Sequence, residues 1–461
     1  MTSRFWGLVL SLALAATLLV GPPAAAEPGN THGDRQGNQH GQGHGHKHKH
    51  KHGHQRWMPK TGGFFNDPWG DMDAKYHIER QIVGAIRHAR KGSFIRIAVY
   101  SFDRTNVAKA LINAYHRGVH VQVLHNDHQY TTAMKMLKHS LGTNRGKLSW
   151  DYTCKTGCRS EQGVLHDKIY LFEHTGGAKN VVMTGSANLT KNATAHQFND
   201  LMIKNDAPGL YRAMLKLFWQ LKKDKTAKPL YWHQVVGKSF SLWVMPHPHT
   251  TARNDPIMKI LRPVRCRGAK GGTGIDGRTK IRVSMHAWND PRGTYIARRL
   301  RHLYAQGCNV KVMWALAGAE MKRVIGTETK RGTVRRHADG YNTDCDPEQE
   351  VDMYSHQKYM TISGRYGKDR SSSLVFTGSS NWTHSGISGD ELVLRARGRY
   401  LVKQWNRNFD HIWTKRSRPV GESTGGFRPA PPICPYYWRP GTERRSTTHG
   451  LTFGGAHWED D

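Results

Sequence analysis

The stretch VLHDKIYLF at residues 164–172 is predicted to form a buried strand with a histidine and a lysine on one face. Residues two apart on a strand point the same way, so His166 and Lys168 are expected to lie side by side. Burying an imidazole beside an ammonium costs free energy unless an anion compensates. A phosphate group would supply that anion, so the pair predicts a phosphate site.

A second strand, VVMT at residues 181–184, runs into the glycine turn GSAN at 185–188. Glycine permits a close backbone approach, and the amide of Asn188 can donate a hydrogen bond to a phosphoryl oxygen. Asp200 follows, directly before an apolar strand. A carboxylate that holds the far nitrogen of a histidine fixes its tautomer and raises its basicity, and Asp200 is a candidate for that role.

The second part of the chain repeats these features in the same order, at offsets of 186 to 193 residues. The matched pairs are residues 66–68 and 254–256, 95–97 and 281–283, 118–123 and 307–312, 166–168 and 356–358, and 185–188 and 378–381. Five features at nearly constant offset are hard to produce by chance. The protein is therefore predicted to be a tandem duplication, with Glu391 as the second acidic residue.

Strands alternate with helical segments inside each repeat. Ile78, Ile82 and Ile86 fall at helical spacing before the first matched strand, and Val107 and Leu111 do so after it. Strand–helix–strand order with short connections is typical of an α/β layer. We predict two tandem α/β domains, related by a pseudo-two-fold, with mixed, mainly parallel sheets flanked by helices.

The chain is predicted to begin with a signal peptide, residues 1–26. Arg4 precedes an apolar run from Gly7 to Val20, and small residues follow it. This run is shorter than the roughly 20 residues of a membrane span, although an uncleaved anchor is the alternative. We therefore expect a secreted, extracellular protein.

Residues 27–57 form a low-complexity, His-rich segment that lacks apolar residues and is predicted to be disordered. Alternating imidazoles can bind zinc, copper or nickel, and a linker with incidental metal affinity is the alternative. The candidate weak ligands are His44, His46, His48, His50, His52 and His54. The remaining boundaries are predicted at 58–228 and 229–423 for the two repeats and at 424–461 for an irregular tail.

The net charge of +34 is spread along the chain. Such a surface accumulates polyanions, whether nucleic acid, anionic lipid or cell-wall polymer, without choosing among them; a merely solvated surface is the alternative. Six cysteines fit an oxidising compartment and allow three disulfides, of which Cys154–Cys158 is the first pair that we expect. A zinc site is the rival, but no second pair matches the Cys-x3-Cys spacing.

HxK followed by GSxN, twice in one chain, resembles the HKD motif of the phospholipase D superfamily over roughly residues 60 to 400. The resemblance implies one active site where the two halves face each other, with no metal or other cofactor. One histidine would attack phosphorus to form a covalent phosphohistidine, and the other would protonate the leaving alcohol and then activate water or an acceptor alcohol. The family's usual order makes His166 the nucleophile and His356 the acid/base, and the duplication leaves the reverse open.

The resemblance assigns roles to matching positions. The catalytic set is His166, Lys168, Asn188, His356, Lys358 and Asn381, and the supporting set is Asp200, Glu391, Ser186, Ser379 and Glu173. The family pattern HxKxxxxD expects aspartate where this chain has Glu173 and Ser363. Glu173 keeps the charge and Ser363 does not.

The resemblance predicts a secreted phospholipase D that hydrolyses, or transfers, phospholipid headgroups at a membrane surface. An extracellular nuclease of the same superfamily is one alternative, because the same charge would track a nucleic-acid backbone. A non-catalytic polyanion-binding relative is the other.

Overall fold

The computed structural model describes residues 57–160, 162–341 and 352–421, and the backbone of two short strands further on. The predicted signal peptide, almost all of the His-rich segment, most of the tail, Cys345 and Cys434 lie outside the described residues. The predictions made for them, and the predicted domain boundaries, stay predictions.

The first half alternates strands and helices as the sequence pattern predicts. Its strands are β1 (Gly62–Phe65), β2 (Phe94–Val99), β3 (His120–Asn126), β4 (Trp150–Cys154), β5 (Lys168–Thr175), β6 (Ala178–Gly185), β7 (Gln197–Phe198) and β8 (Asp200–Lys204). Its helices are α1 (Met72–Lys75), α2 (His77–Arg87), α3 (Thr105–His116), α4 (Thr132–Leu141), α5 (Lys191–Ala195) and α6 (Pro208–Lys223).

The second half follows the same plan. Its strands are β9 (Trp232–Val236), β10 (Phe240–Val244), β11 (Val264–Arg265), β12 (Lys280–Trp288), β13 (Asn309–Ala317), β14 (Arg335–Ala338), β15 (Tyr354–Ser355), β16 (Lys358–Tyr366), β17 (Asp369–Gly378), β18 (Leu392–Arg397) and β19 (Arg418–Pro419). Its helices are α7 (Pro256–Leu261), α8 (Asp290–Ala305), α9 (Ala319–Gly326), α10 (Ser385–Ser388) and α11 (Arg399–Lys415). Two last strands, β20 (Thr452–Phe453) and β21 (Ala456–His457), pair with each other.

Each half is built on one mixed sheet. The first has the order β1-β8-β6-β5-β2-β3-β4, and the second β19-β14-β13-β12-β16-β17-β18-β10-β9. The prediction of mainly parallel sheets is wrong. Within these two sheets, only the neighbours in β2–β3–β4 and β12–β13–β14 are parallel, and the other described pairs are antiparallel.

The physical reason for the antiparallel pairs is the shortness of two connections. Strands β5 and β6 are joined by residues 176–177, and β16 and β17 by residues 367–368. Gly176 and Gly367 take positive φ values of 56° and 62° in these turns. Two-residue turns make hairpins, whereas a parallel pair needs a crossover of a dozen residues or more.

The two sheets share a central core. Helices α2, α3 and α4 cover the outer face of the first sheet, and α7, α8 and α9 that of the second. Between the sheets, α6 and α11 contribute Phe218 and Trp405 to one buried cluster with Ile169 of β5 and Val375 of β17. Strand β7 also pairs in parallel with β15 across the two halves. The carboxyl ends of the parallel strands are thereby held against each other.

Two disulfides lie among the described residues. Cys154–Cys158 is the predicted pair and closes a short loop, and Cys266–Cys308 joins segments 42 residues apart in the second half. No helix in the described part of the chain has both the length and the apolar character that crossing a bilayer requires.

Candidate active site

The two HxK segments meet where the halves join. Strands β5 and β16 begin at the lysines, so each histidine precedes its strand and pairs with the other half instead. The backbone N–H of His166 donates to the carbonyl of Asp390 at 3.0 Å, and that of His356 donates to the carbonyl of Phe198 at 2.9 Å. Both imidazoles are almost fully buried. The duplication thus produces a single composite site.

Each lysine is fixed by its own histidine's backbone. The Nζ of Lys168 donates to the carbonyl of His166, and the Nζ of Lys358 to that of His356, both at 2.8 Å. Both ammonium groups are buried and both act electrostatically on the two imidazoles. The site is therefore a buried concentration of positive charge that suits a phosphate anion.

The asparagines of the two GSxN turns are oriented by backbone N–H groups. The Oδ1 of Asn188 accepts from the N–H of Ser101 at 3.4 Å, and that of Asn381 accepts from the N–H of Ala287 at 3.2 Å. Because each Oδ1 is held by a backbone N–H, the Nδ2 of the same amide points away from that backbone group. The Nδ2 of Asn188 is buried and has no hydrogen-bond partner among the described residues. This donor is available to a phosphoryl oxygen.

The side chain of each catalytic histidine contacts a residue of the opposite half. The Nδ1 of His166 lies 2.8 Å from Oε1 of Glu391, whose carboxylate is also hydrogen-bonded by Ser379. The Nδ1 of His356 lies 3.1 Å from Oδ1 of Asn199. The same amide oxygen accepts a 2.8 Å bond from Ser186, so the serine of each GSxN turn steadies the residue that holds a histidine.

Asp200 does not contact a histidine, contrary to the expectation from sequence. Its carboxylate accepts from Thr377 and from Nε1 of Trp405, so it lies within the shared core. Asn199 occupies the position that Glu391 has in the second half. The reason is one extra residue between turn and strand: Gly185 pairs with Leu201, whereas Gly378 pairs with Val393.

Glu173 and Ser363, the two departures from the family pattern, lie away from the site. Glu173 is exposed and accepts a 3.0 Å bond from the N–H of Phe94. Ser363 accepts from the N–H of Gly274 at 3.1 Å. Both serve local backbone groups, so neither supports the reacting residues directly.

Two aromatic side chains that sequence reasoning missed contact the histidines. Tyr100 packs edge-on against His166 with ring centroids 5.1 Å apart, and His286 packs against His356 at 4.8 Å. Both follow the matched segments 95–97 and 281–283 by three residues, at the carboxyl ends of β2 and β12, and this shared position is the signal that would have found them. Further rings stack on these two: His128 on Tyr100 and Tyr354 on His286.

Burial and charge act together on the titratable groups. Burial lowers the pKa of both His166 and His356, and the two lysines lower it further. Both imidazoles are therefore neutral when no substrate is bound. The Nε2 of His166 is buried and has no hydrogen-bond partner among the described residues, which leaves its lone pair ready for attack. Burial raises the pKa of Glu391 to about 7.

The buried side chain of Arg159 stabilises the region next to the two histidines. The backbone N–H of Arg159 donates to Oδ2 of Asp390 at 3.0 Å, and its side chain donates to the carbonyls of Leu230 and Met245. Burial raises the pKa of Asp390 to about 7, and raises that of Asp167 as well, while the Arg159 charge acts in the opposite direction on both. Arg159 thus joins the halves and balances two buried carboxyls next to the histidines.

One group among the described residues has the side-chain types of a metal site: Cys154, Cys158 and Asp224. Its two sulfurs form the disulfide, so they are not available as thiolate ligands.

Comparison with known proteins identifies the class. A family model described as "Cardiolipin synthase, PLD-like domain" matches residues 82–222 and 275–413, more than half of the chain. The fold and the doubled site define a member of the phospholipase D superfamily. Within it, the chain belongs to the family of this PLD-like domain, one copy in each half.

Solved structures share the fold at low sequence identity. A phosphatidylserine synthase from Haemophilus influenzae has a TM-score of 0.52 and 12% identity, over 80% of this chain and 90% of that one. A polyphosphate kinase from Porphyromonas gingivalis has a TM-score of 0.51 and 13% identity, over 80% of this chain and 53% of that one, so this chain spans about half its length. Nuc from Salmonella typhimurium, a phospholipase D family member, is 23% identical over 35% of this chain and 93% of its own, with a TM-score of 0.27. No curated protein sequence matches the chain.

Proposed function

We propose that this protein is a secreted phospholipase D-type phosphodiesterase that cleaves phospholipid headgroups through a covalent phosphohistidine. The observation that carries the proposal is the crossed pairing of two imidazoles with Glu391 and Asn199 inside one lysine-rich site. Two histidines with different partners provide a nucleophile and a separate acid/base, as a two-step displacement at phosphorus requires.

The difference between the partners assigns the roles. A histidine bonded to phosphorus carries positive charge, and the carboxylate of Glu391 at Nδ1 stabilises that charge on His166. His356 faces the neutral amide of Asn199, which stabilises an imidazolium less and so makes it a stronger acid. We therefore assign His166 as nucleophile and His356 as acid/base.

In the first step, Nε2 of His166 attacks phosphorus and the bond from phosphorus to the alcohol oxygen breaks. His356 gives its proton to that oxygen. In the second step, the now neutral His356 takes a proton from water or an acceptor alcohol, whose oxygen attacks phosphorus and breaks the N–P bond. Lys168 and Lys358, with the amides of Asn188 and Asn381, stabilise the charge on the phosphoryl oxygens.

Substrate binding also changes the pKa of His356, the residue that acts as the acid. Burial and the lysines lower the pKa of His356, so its imidazole is neutral when no substrate is bound. A bound phosphodiester anion offsets the lysine charges and raises this pKa again. His356 therefore gains its proton when there is a substrate to protonate.

A phospholipid substrate is supported by the family, whose description names a cardiolipin synthase. Export is supported by the signal-like residues 1–26 and by the two disulfides. A nuclease is the second candidate, because the net charge of +34 suits a nucleic-acid backbone equally well.

The substrate is tested by offering phosphatidylcholine vesicles and supercoiled plasmid side by side, with a chelator present and with an inactive His166→Ala control. We expect choline release by the wild-type protein and none by the variant. Nicking of the plasmid without choline release would instead establish the nuclease. Activity on neither substrate, with tight binding to both, would overturn the catalytic proposal.

The pH dependence tests the role of Glu391. Only the carboxylate form accepts the Nδ1–H of His166, and burial raises its pKa to about 7. We expect kcat at saturating substrate, where the bound phosphodiester keeps His356 protonated, to fall as the pH drops below about 7. Glu391→Gln should lower the maximal kcat by roughly 10–100-fold and remove this acid limb. Glu320→Gln, an exposed carboxylate in α9, is the control. An unchanged profile in Glu391→Gln would exclude the assigned role.

A further inference from the structure

Three cationic side chains form a row across the second sheet. Arg282 of β12 lies opposite Lys311 of β13, which lies opposite Arg335 of β14. Residues in register on parallel strands share one face, with strands about 4.8 Å apart. Like charges directly opposite each other destabilise a sheet. The row therefore weakens the fold unless something compensates its charge.

The first half shows that the fold does not need this row. The same three positions on β2, β3 and β4 hold Arg96, Gln122 and Trp150. The single cation there is compensated, because Arg96 donates to Oε1 of Gln122 at 3.1 Å and to the hydroxyl of Tyr211 at 3.0 Å, and the carboxylate of Glu173 attracts it. The second half replaces two neutral residues of this set by cations.

Counter-charge for the row is scarce. Among the described residues, no salt bridge links the three cations to a carboxylate. The exposed Asp410 of α11 attracts Arg282 and Lys311, but Lys280 adds a fourth positive charge nearby. Burial and the neighbouring cations lower the pKa of Lys311 to about 8. The Nε of Arg282 is buried and has no hydrogen-bond partner in the described part of the chain. A bound anion would offset the repulsion between the cations and would accept a hydrogen bond from Nε of Arg282.

The row lies on the face of the sheet that α11 covers, and it runs from the buried Arg282 to the exposed Arg335. The Nζ of Lys311 lies 4.7 Å from the ring centre of Trp413, and the guanidinium of Arg282 lies 5.8 Å from that of Phe409. The row is separate from the catalytic site, because His286 marks the catalytic end of β12 and lies four residues beyond Arg282. That spacing corresponds to about 13 Å along a strand.

We propose that Arg282, Lys311 and Arg335 form a phosphate-binding site distinct from the catalytic centre. Guanidinium groups bind phosphate oxygens in a bidentate manner, and an ammonium between them adds a point charge. The site goes beyond the proposed reaction and does not depend on it. Its ligand is either free inorganic phosphate or a phosphate group that belongs to a larger polyanion bound along the surface of this protein.

Thermal melting in phosphate and in chloride, at equal pH and ionic strength, tests the site. We expect phosphate to raise the melting temperature of the wild-type protein by about 2–4 °C at saturating concentration. Lys311→Met keeps the packing on Trp413 but removes the central charge. It should lose at least half of this response and should melt in chloride no lower than wild type. Arg335→Gln, at the exposed end of the row, should also respond less.

The control is Lys403→Met, an exposed charge elsewhere on α11, which should respond to phosphate as wild type does. All these proteins keep the same catalytic residues, so phosphate bound there contributes equally and differences report the row. Equal phosphate responses in wild type and Lys311→Met would overturn the proposal.

A second arm identifies the source of the phosphate group. Binding to phosphatidylglycerol vesicles is compared for Lys311→Met and Lys403→Met at fixed salt. Weaker vesicle binding by Lys311→Met alone would assign the site to phosphates of an extended polyanion. Equal vesicle binding, together with the lost phosphate response, would assign it to free inorganic phosphate.

Discussion

His166→Ala and His356→Ala should each lower kcat on the natural substrate by about 10^4-fold or more, because each removes one half of a two-step proton and phosphoryl transfer. The double variant should be no slower than the worse single variant, since residues that act as one unit do not contribute additively. The measurement is headgroup release under single-turnover and steady-state conditions.

His139→Ala provides the matched control, because His139 is an exposed imidazole on α4, away from the composite site. Its turnover should equal that of wild type. Wild-type rates in either catalytic variant would show that the two imidazoles do not act on the same phosphorus atom.

Arg159→Gln should lower the free energy of unfolding by about 3–5 kcal/mol, because it leaves the buried carboxyls of Asp390 and Asp167 without their positive partner. The variant also loses bonds to carbonyls of the second half, so the two halves should separate more easily. Urea unfolding, followed by tryptophan fluorescence, measures the change.

Two further variants define the cause of that loss. Arg323→Gln removes an exposed guanidinium from an exposed ion pair on α9 and should leave the urea midpoint unchanged. Adding Asp390→Asn to Arg159→Gln removes one uncompensated carboxyl and should recover part of the stability. A double variant less stable than Arg159→Gln would contradict the charge-balance explanation.

Sequence alone predicted the residues that the fold brings together between the two halves, because HxK and GSxN are short, doubled and evenly offset. The sequence did not correctly predict which side chain contacts His356, and the reason is specific. NDL at residues 199–201 and DEL at 390–392 align by identity, but one additional residue follows Ser186 before the strand starts. Strand register, which depends on the whole sheet, decides that Asn199 and not Asp200 reaches His356.

The parallel character of the sheets was overestimated for a related reason. Strand–helix–strand order is local information, and it correctly describes β2 to β4 and β12 to β14. The short links at residues 176–177 and 367–368 turn the following strands back as hairpins. The row of Arg282, Lys311 and Arg335 was equally out of reach, because these residues become neighbours only through the register of three strands.

The most direct test of the mechanism is to trap the covalent intermediate. A bis(p-nitrophenyl) phosphodiester has a leaving group that needs no protonation, so His356→Ala should release about one nitrophenolate per active site. The variant should then stall, because the second step needs His356 as the base. Alkaline quenching and peptide mapping should place the phosphoryl group on His166. A label on His356 in the wild-type protein would reverse the roles, and the absence of any covalent phosphohistidine would contradict the proposed mechanism altogether.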